Sequence, residues 1–275
     1  MVNVRSWLLV LSTVLVWLTG AVAMTSLVTG CASSSPSAVA QSDSFTDSDE
    51  PESRKRATNR LRLAVLYFSD GKTTIALDEV KQAIIADPNW FEAYNMRGLI
   101  YRRLGDNALA DASFQKALSL NPGSADVKHN YGMFLCDQRR GPEAFRMFSA
   151  ALETAGYGRR ANTWAAQGAC QLSLGQLSEA EASFLKSYEL DASNPVTGYN
   201  LALLLYQRED FVRSQFYVRR INNSELANAE SLWLGIKVER RMDNREAMAQ
   251  LAGQLKKRFP QSPEASAMDR GAFNE

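Results

Sequence analysis

Hydrophobic and polar positions divide the 275-residue chain into three regimes. Residues 6–29 are uncharged and apolar or small, with Trp7-Leu8-Leu9-Val10-Leu11 and Val14-Leu15-Val16-Trp17-Leu18 at their centre. Residues 32–56 (ASSSPSAVAQSDSFTDSDEPESRKR) are rich in Ser, Asp and Glu and offer almost nothing to bury. Beyond them, small and apolar positions recur with a long period. Taking Ala57, Phe91 and Ala125 as first positions gives a repeat of 34 residues without a gap. Two extra residues after Gly158 move the next start to Ala161, Pro195 follows 34 later, and a one-residue deletion restarts the register at Asn228. Eighth positions are then Ala64, Gly98, Gly132, Gly168, Ala202 and Gly235, and twentieth positions Ala76, Ala110, Ala144, Ala180, Ser214 and Ala247. All twelve are Ala, Gly or Ser, types that make up only 78 of the 275 residues, so chance does not explain them. Twenty-fourth positions are Val80, Phe114, Phe148, Phe184, Val218 and Leu251, all apolar.

A fixed period of this length is the mark of a repeat array, each unit burying its apolar face against a neighbour. Two antiparallel helices approach closely where side chains are small, which the eighth and twentieth positions supply. A bulky twenty-fourth residue fills the gap toward the next unit. Gly71, Gly105 and Gly175 punctuate the turns inside units, Pro88 and Pro122 those between them, and Gly141-Pro142 opens a second helix. The pattern resembles the tetratricopeptide repeat (TPR). That likeness implies an all-α, right-handed superhelical solenoid of about six helix pairs: 57–90, 91–124, 125–158, 161–194, 195–227 and 228–261. Residues 262–275 are too short for another pair and form either a cap or a tail.

Arg5, the apolar run and a small-residue exit together read as a secretory signal over residues 1–30. The competing reading is an uncleaved anchor, since about 20 apolar residues span a bilayer. Leu27-Val28-Thr29-Gly30-Cys31 resembles the bacterial lipobox, which implies an acylated Cys31 as the mature N-terminus. Ala32 stands where inner-membrane lipoproteins commonly carry Asp, so the resemblance directs the chain to the outer membrane, periplasmic face. Residues 31–56 then form a lipidated start and a flexible tether, reaching roughly 27 Å as a random coil.

Composition removes several functions. Lys plus Arg number 31 and Asp plus Glu 30, so no bulk positive field marks a nucleic-acid binder. One histidine, His129, and three cysteines leave little for a metal site. Asp70-Gly71-Lys72-Thr73 lacks the upstream glycine of a phosphate loop, and no pair of carboxylates stands out for acid–base work. An enzyme is not expected, nor a cofactor, a metal or a small-molecule substrate. The doublets Arg102-Arg103, Arg139-Arg140, Arg219-Arg220 and Arg240-Arg241 fall late in helices, where the macrodipole favours cations; a phosphate- or lipid-binding stripe is the other reading. Cys136 and Cys170 lie 34 residues apart on adjacent first helices. In an oxidising compartment they form an inter-repeat disulfide or remain two buried thiols.

On TPR geometry the first helices line an inner groove. The expected partner-binding residues are Leu61, Val65 and Phe68; Asn95, Leu99 and Arg102; His129 and Met133; Leu172; Tyr199, Leu203 and Tyr206; and, in the sixth unit, Leu232 and Ile236. Such a lining suits an apolar or amphipathic segment of another protein, unless packing inside the array consumes it.

Asn130-Tyr131-Gly132-Met133-Phe134-Leu135-Cys136, Glu230-Ser231-Leu232-Trp233-Leu234-Gly235-Ile236 and Gln254-Leu255-Lys256-Lys257-Arg258-Phe259-Pro260 are similar to the type IV pilus biogenesis/stability lipoproteins, the PilF/PilW family. That resemblance implies an outer-membrane pilotin: a non-enzymatic factor that binds the pilus secretin subunit and promotes its localisation and multimerisation. A TPR adaptor docking peptidoglycan-modifying enzymes or outer-membrane assembly machinery is the alternative.

Overall fold

The structure is a computed structural model that describes residues 50–273. Residues 1–30 and Cys31, with most of the expected tether, lie outside the described residues. The described chain is helical with no strand: α1 (Glu52–Ser69), α2 (Thr73–Ala86), α3 (Phe91–Leu104), α4 (Asn107–Leu120), α5 (Ala125–Asp137), α6 (Gly141–Leu152), α7 (Arg160–Ser173), α8 (Leu177–Leu190), α9 (Pro195–Gln207), α10 (Phe211–Asn222), α11 (Ala229–Arg241), α12 (Arg245–Arg258) and the short α13 (Pro263–Asp269). Consecutive helices pack as hairpins, α1 on α2 through α11 on α12, so the chain is an all-α TPR solenoid.

Helix starts follow local chemistry. Asp106, Ser124, Asn194, Asp210, Asn228, Asn244 and Ser262 each accept a hydrogen bond from a backbone N–H of the first turn. Inside each hairpin the turn needs one residue in the left-handed region. Gly71, Gly105 and Gly175 supply it at φ +76°, +79° and +77°; in the other three units Arg139, Glu209 and Asp243 hold it at φ 57°, 62° and 52°.

The interior of each hairpin explains the repeat. A Cβ added at Gly98, Gly132 or Gly168 would meet the Phe114, Phe148 or Phe184 ring of the same unit at 2.7, 2.7 and 2.9 Å. The twenty-fourth residue therefore first fills the notch of its own glycine. It then meets the next unit, as when Phe114 stacks on Tyr131 at 5.6 Å between centroids.

One boundary departs from the sequence reading, and one open alternative is decided. The tether does not extend to residue 56, because α1 begins at Glu52. Composition hides this start: Arg54 pairs with Asp87 and lies 5.0 Å over the Trp90 ring, cations using partners a unit away, while Ala57 is fully buried. At the other end α13 and Phe273 close the array, with Ala265 buried and Phe273 5.1 Å from Trp233 between ring centroids.

Candidate functional site

The curvature of the array defines the site. Each first helix touches the next first helix (α1 with α3, α3 with α5, α5 with α7, α7 with α9, α9 with α11), whereas no second helix touches the next second helix. The first helices are thus the crowded, inner layer, and their free sides line the concave surface.

Hydrogen bonds and a disulfide cross this layer like rungs. The Asn130 amide donates to Asn95 (3.1 Å), the Arg102 guanidinium to Asp137, and the Arg103 guanidinium to the Phe68 carbonyl oxygen (2.7 Å). Cys136 and Cys170 are joined as a disulfide with Cα atoms 5.7 Å apart. His129 is 4% exposed, its Nδ1 2.9 Å from the Thr163 hydroxyl, which also meets the Tyr157 hydroxyl at 3.0 Å. Burial, reinforced by the Arg159 guanidinium, depresses the His129 pKa to about 4, so the ring is neutral at neutral pH.

These contacts correct part of the expected lining. His129 is a buried rung and does not face a partner; Asn95 and Arg102 are committed sideways to the next unit. Leu232 and Ile236 are buried beside Leu255 and Ala265: α11 starts a full 34 residues after α9, without the expected deletion, so they take the interior positions of Gly198 and Ala202, and α13 packs there. Leu99 and Met133 lean on the Phe114–Phe148 core, and Leu172 and Leu203 on the Phe184–Leu205 core, each with part of its side chain accessible.

What stays open forms two apolar stretches. At the N-terminal end Val65 is 51% exposed, flanked by the half-buried Leu61 and Phe68. Toward the other end Val196 is 55% exposed, and Tyr199, Leu203 and Tyr206 follow along α9, each half-buried. Burial raises the Tyr199 pKa, and the Glu230 and Glu264 carboxylates push the same way, so its hydroxyl stays protonated as a donor. The rungs and the disulfide separate the two stretches.

The arginine doublets act across units more than on helix dipoles. Arg219 pairs with the buried Glu239 carboxylate (2.8 Å), Arg241 with Glu209 (3.1 Å), and Arg240 stacks 4.1 Å over the Phe273 ring. Arg139 and Arg140 lie in a turn and before a helix, not late in one; Arg140 grips Glu143 and Asp111.

One feature escaped the sequence reading. A cleft of about 240 Å³ opens beside the start of α9, lined by Tyr188, Pro195, Gly198, Tyr217, Ile221 and Leu226 among others. The Tyr188 hydroxyl is buried there with no hydrogen-bond partner. Its one sequence signal was Leu226, an apolar residue in the polar Asn223–Asn228 connection.

Comparison with known proteins agrees with this architecture. The tetratricopeptide-repeat family pattern matches residues 91–124 and 123–193. The type IV pilus assembly protein PilF of Pseudomonas aeruginosa is 28% identical over 237 residues, covering 86% of this chain and 91% of PilF. The solved PilF structure superposes with a TM-score of 0.70 at 26% identity, over 80% of this chain and all of PilF. The solved structure of PilW, described as a widely conserved type IV pilus biogenesis factor, gives 0.68 at 28% identity, over 77% and 97%. This chain is similar to PilF and PilW in both sequence and fold. TPR arrays of that kind are protein-interaction scaffolds. Among the described residues no cluster of three His, Cys, Asp or Glu side chains could hold a metal, and no helix is long and apolar enough to cross a membrane.

Proposed function

We propose that this protein is an outer-membrane lipoprotein that acts in type IV pilus biogenesis as a pilotin. Acylated Cys31 anchors it on the periplasmic face, and the solenoid binds a pilus secretin subunit, promoting its outer-membrane localisation and multimerisation. The observation that carries the reading is a likeness to PilF running through nearly the whole of both chains, on a fold whose inner surface keeps accessible apolar side chains. The Val65 stretch is the better half of the groove for an incoming segment, since neither disulfide nor ion pair crosses Val65 itself. Tethering supplies the mechanism: a leash on the bilayer raises the local concentration of the bound subunit there without new contacts.

Loss of the gene is expected to abolish heat-resistant secretin multimers and surface pili; normal multimers in the deletion strain would refute the reading. Cys31→Ser leaves a soluble periplasmic protein and a misplaced secretin. Leu61→Glu with Val65→Glu, both at accessible positions, blocks co-purification of the secretin while the helical spectrum is retained. Co-purification at wild-type yield would move the binding surface elsewhere.

A further inference from the structure

The flank of α1 turned away from α3 is bare. Leu61 and Phe68 mark the side that meets the next unit, and at 100° per residue Leu63 and Leu66 fall on the opposite side, 38% and 54% exposed. The far end of the array is treated differently, for there α13 and Phe273 cover the last hairpin. The bare end also carries charge. Helix α1 holds Arg54, Lys55, Arg56, Arg60 and Arg62 against one acid, Glu52, which pairs with Lys55. Arg54 and Arg60 are taken by Asp87 and Glu79, but Arg56 and Arg62, on either edge of the leucine pair, make no ion pair or hydrogen bond among the described residues.

We propose that this end face docks on the membrane surface, with Leu63 and Leu66 entering the headgroup boundary of a bilayer and Arg56 and Arg62 meeting anionic phospholipid headgroups. Charge complementarity favours lipid over a protein cap. The cap at the other end sets Ala265, Met268 and Phe273 on the last hairpin and gives its cations partners, Asp269 for Lys256 and the Phe273 ring for Arg240, whereas two leucines rimmed by arginines without a partner among the described residues, on long apolar stems, match an interface that is apolar below and anionic above. Chain order puts the face within reach: 21 positions separate Cys31 from Glu52, roughly 25 Å as a random coil. Docking there would hold the array end-on and leave the Val65 stretch, on another side of α1, open to a partner. The reach depends on the lipoprotein reading above; the binding chemistry does not.

The test uses the full chain bound to vesicles of phosphatidylcholine alone or mixed with phosphatidylglycerol. An environment-sensitive fluorescent amino acid replaces Leu63 in one sample and Val212, 70% exposed on α10, in another. The expected result is a blue-shifted, lipid-quenchable emission at position 63 on phosphatidylglycerol vesicles, weakened by salt, with position 212 unchanged. Each cation near such a surface contributes about fivefold in partitioning, so Arg56→Glu with Arg62→Glu lowers it by at least about 25-fold. Water-like emission at 63 on both vesicles overturns the proposal. So does a shift indifferent to phosphatidylglycerol and to the arginine variant, or one that appears only when purified secretin subunit is added. The mass of the Cys31 peptide tests the lipoprotein reading separately.

Discussion

At the scale of single residues the repeat rests on glycine against ring. Gly132 is a notch into which the Phe148 ring fits, and a methyl there would sit 2.7 Å from a ring carbon. Gly132→Ala is expected to lose about 1–3 kcal/mol to overpacking, more than the ~1 kcal/mol that alanine gains in a helix. Gly253, inside α12, has nothing within 4 Å of an added Cβ, so Gly253→Ala should gain close to that ~1 kcal/mol. Denaturant midpoints moving in opposite directions would bear this out, and a stabilised Gly132→Ala would contradict the packing account. His129 gives a second residue-scale test. Its folded pKa of about 4 lies below the ordinary 6.5, so the fold excludes a proton that the unfolded chain takes up. Stability is complete above about pH 6.5 and falls as the pH drops toward 4, by up to about 3 kcal/mol from this group. In His129→Gln the difference between unfolding free energies at pH 7.5 and 4.5 should shrink by about 2.5 kcal/mol, most of that amount. An unchanged difference would mean that carboxylates alone govern acid sensitivity.

Among elements, the rungs between first helices set spacing and consume side chains that a single-unit reading assigns to a partner. The Cys136–Cys170 bridge is the covalent rung between α5 and α7. Closing a loop of 34 residues restricts the unfolded chain by about 3–4 kcal/mol on the chain-entropy account. Cys136→Ala with Cys170→Ala should lower the unfolding free energy by about that much; equal stability of variant and wild type would show that the packed helices alone fix the spacing. The left-handed turn shows how topology overrides local preference. Three units meet it with glycine and three with Arg139, Glu209 and Asp243, residues that adopt it against their own sterics because the hairpin closes only there.

For the whole molecule, stability is a sum of hairpins and their junctions, so damage at an end stays at that end. Removing residues 262–275 uncovers Trp233 and leaves Phe259 without α13 beside it. Amide hydrogen exchange is expected to quicken through 229–258 while 91–193 keeps its protection. Uniform loss of protection would instead mark one cooperative globule. The groove is legible only at this scale. Its apolar content was readable from the first-helix positions, and Val65, Tyr199, Leu203 and Tyr206 do line accessible surface. His129, Asn95 and Arg102 look like groove residues in any single unit, and the neighbouring helix, 34 or 35 residues away, claims them. The cleft beside Tyr188 has no period at all, since it arises where the irregular Asn223–Asn228 connection meets α9.

The amino-acid pattern by itself determined the stack of helical hairpins and the small residues at which they touch. The reason is that steric contact inside a hairpin is local and repeats with the chain. Where α1 starts, which inner side chains remain free, and which end of the array is capped were decided by contacts between units and at the ends. There neighbouring helices compete for the same polar groups, and the period carries no information about who wins.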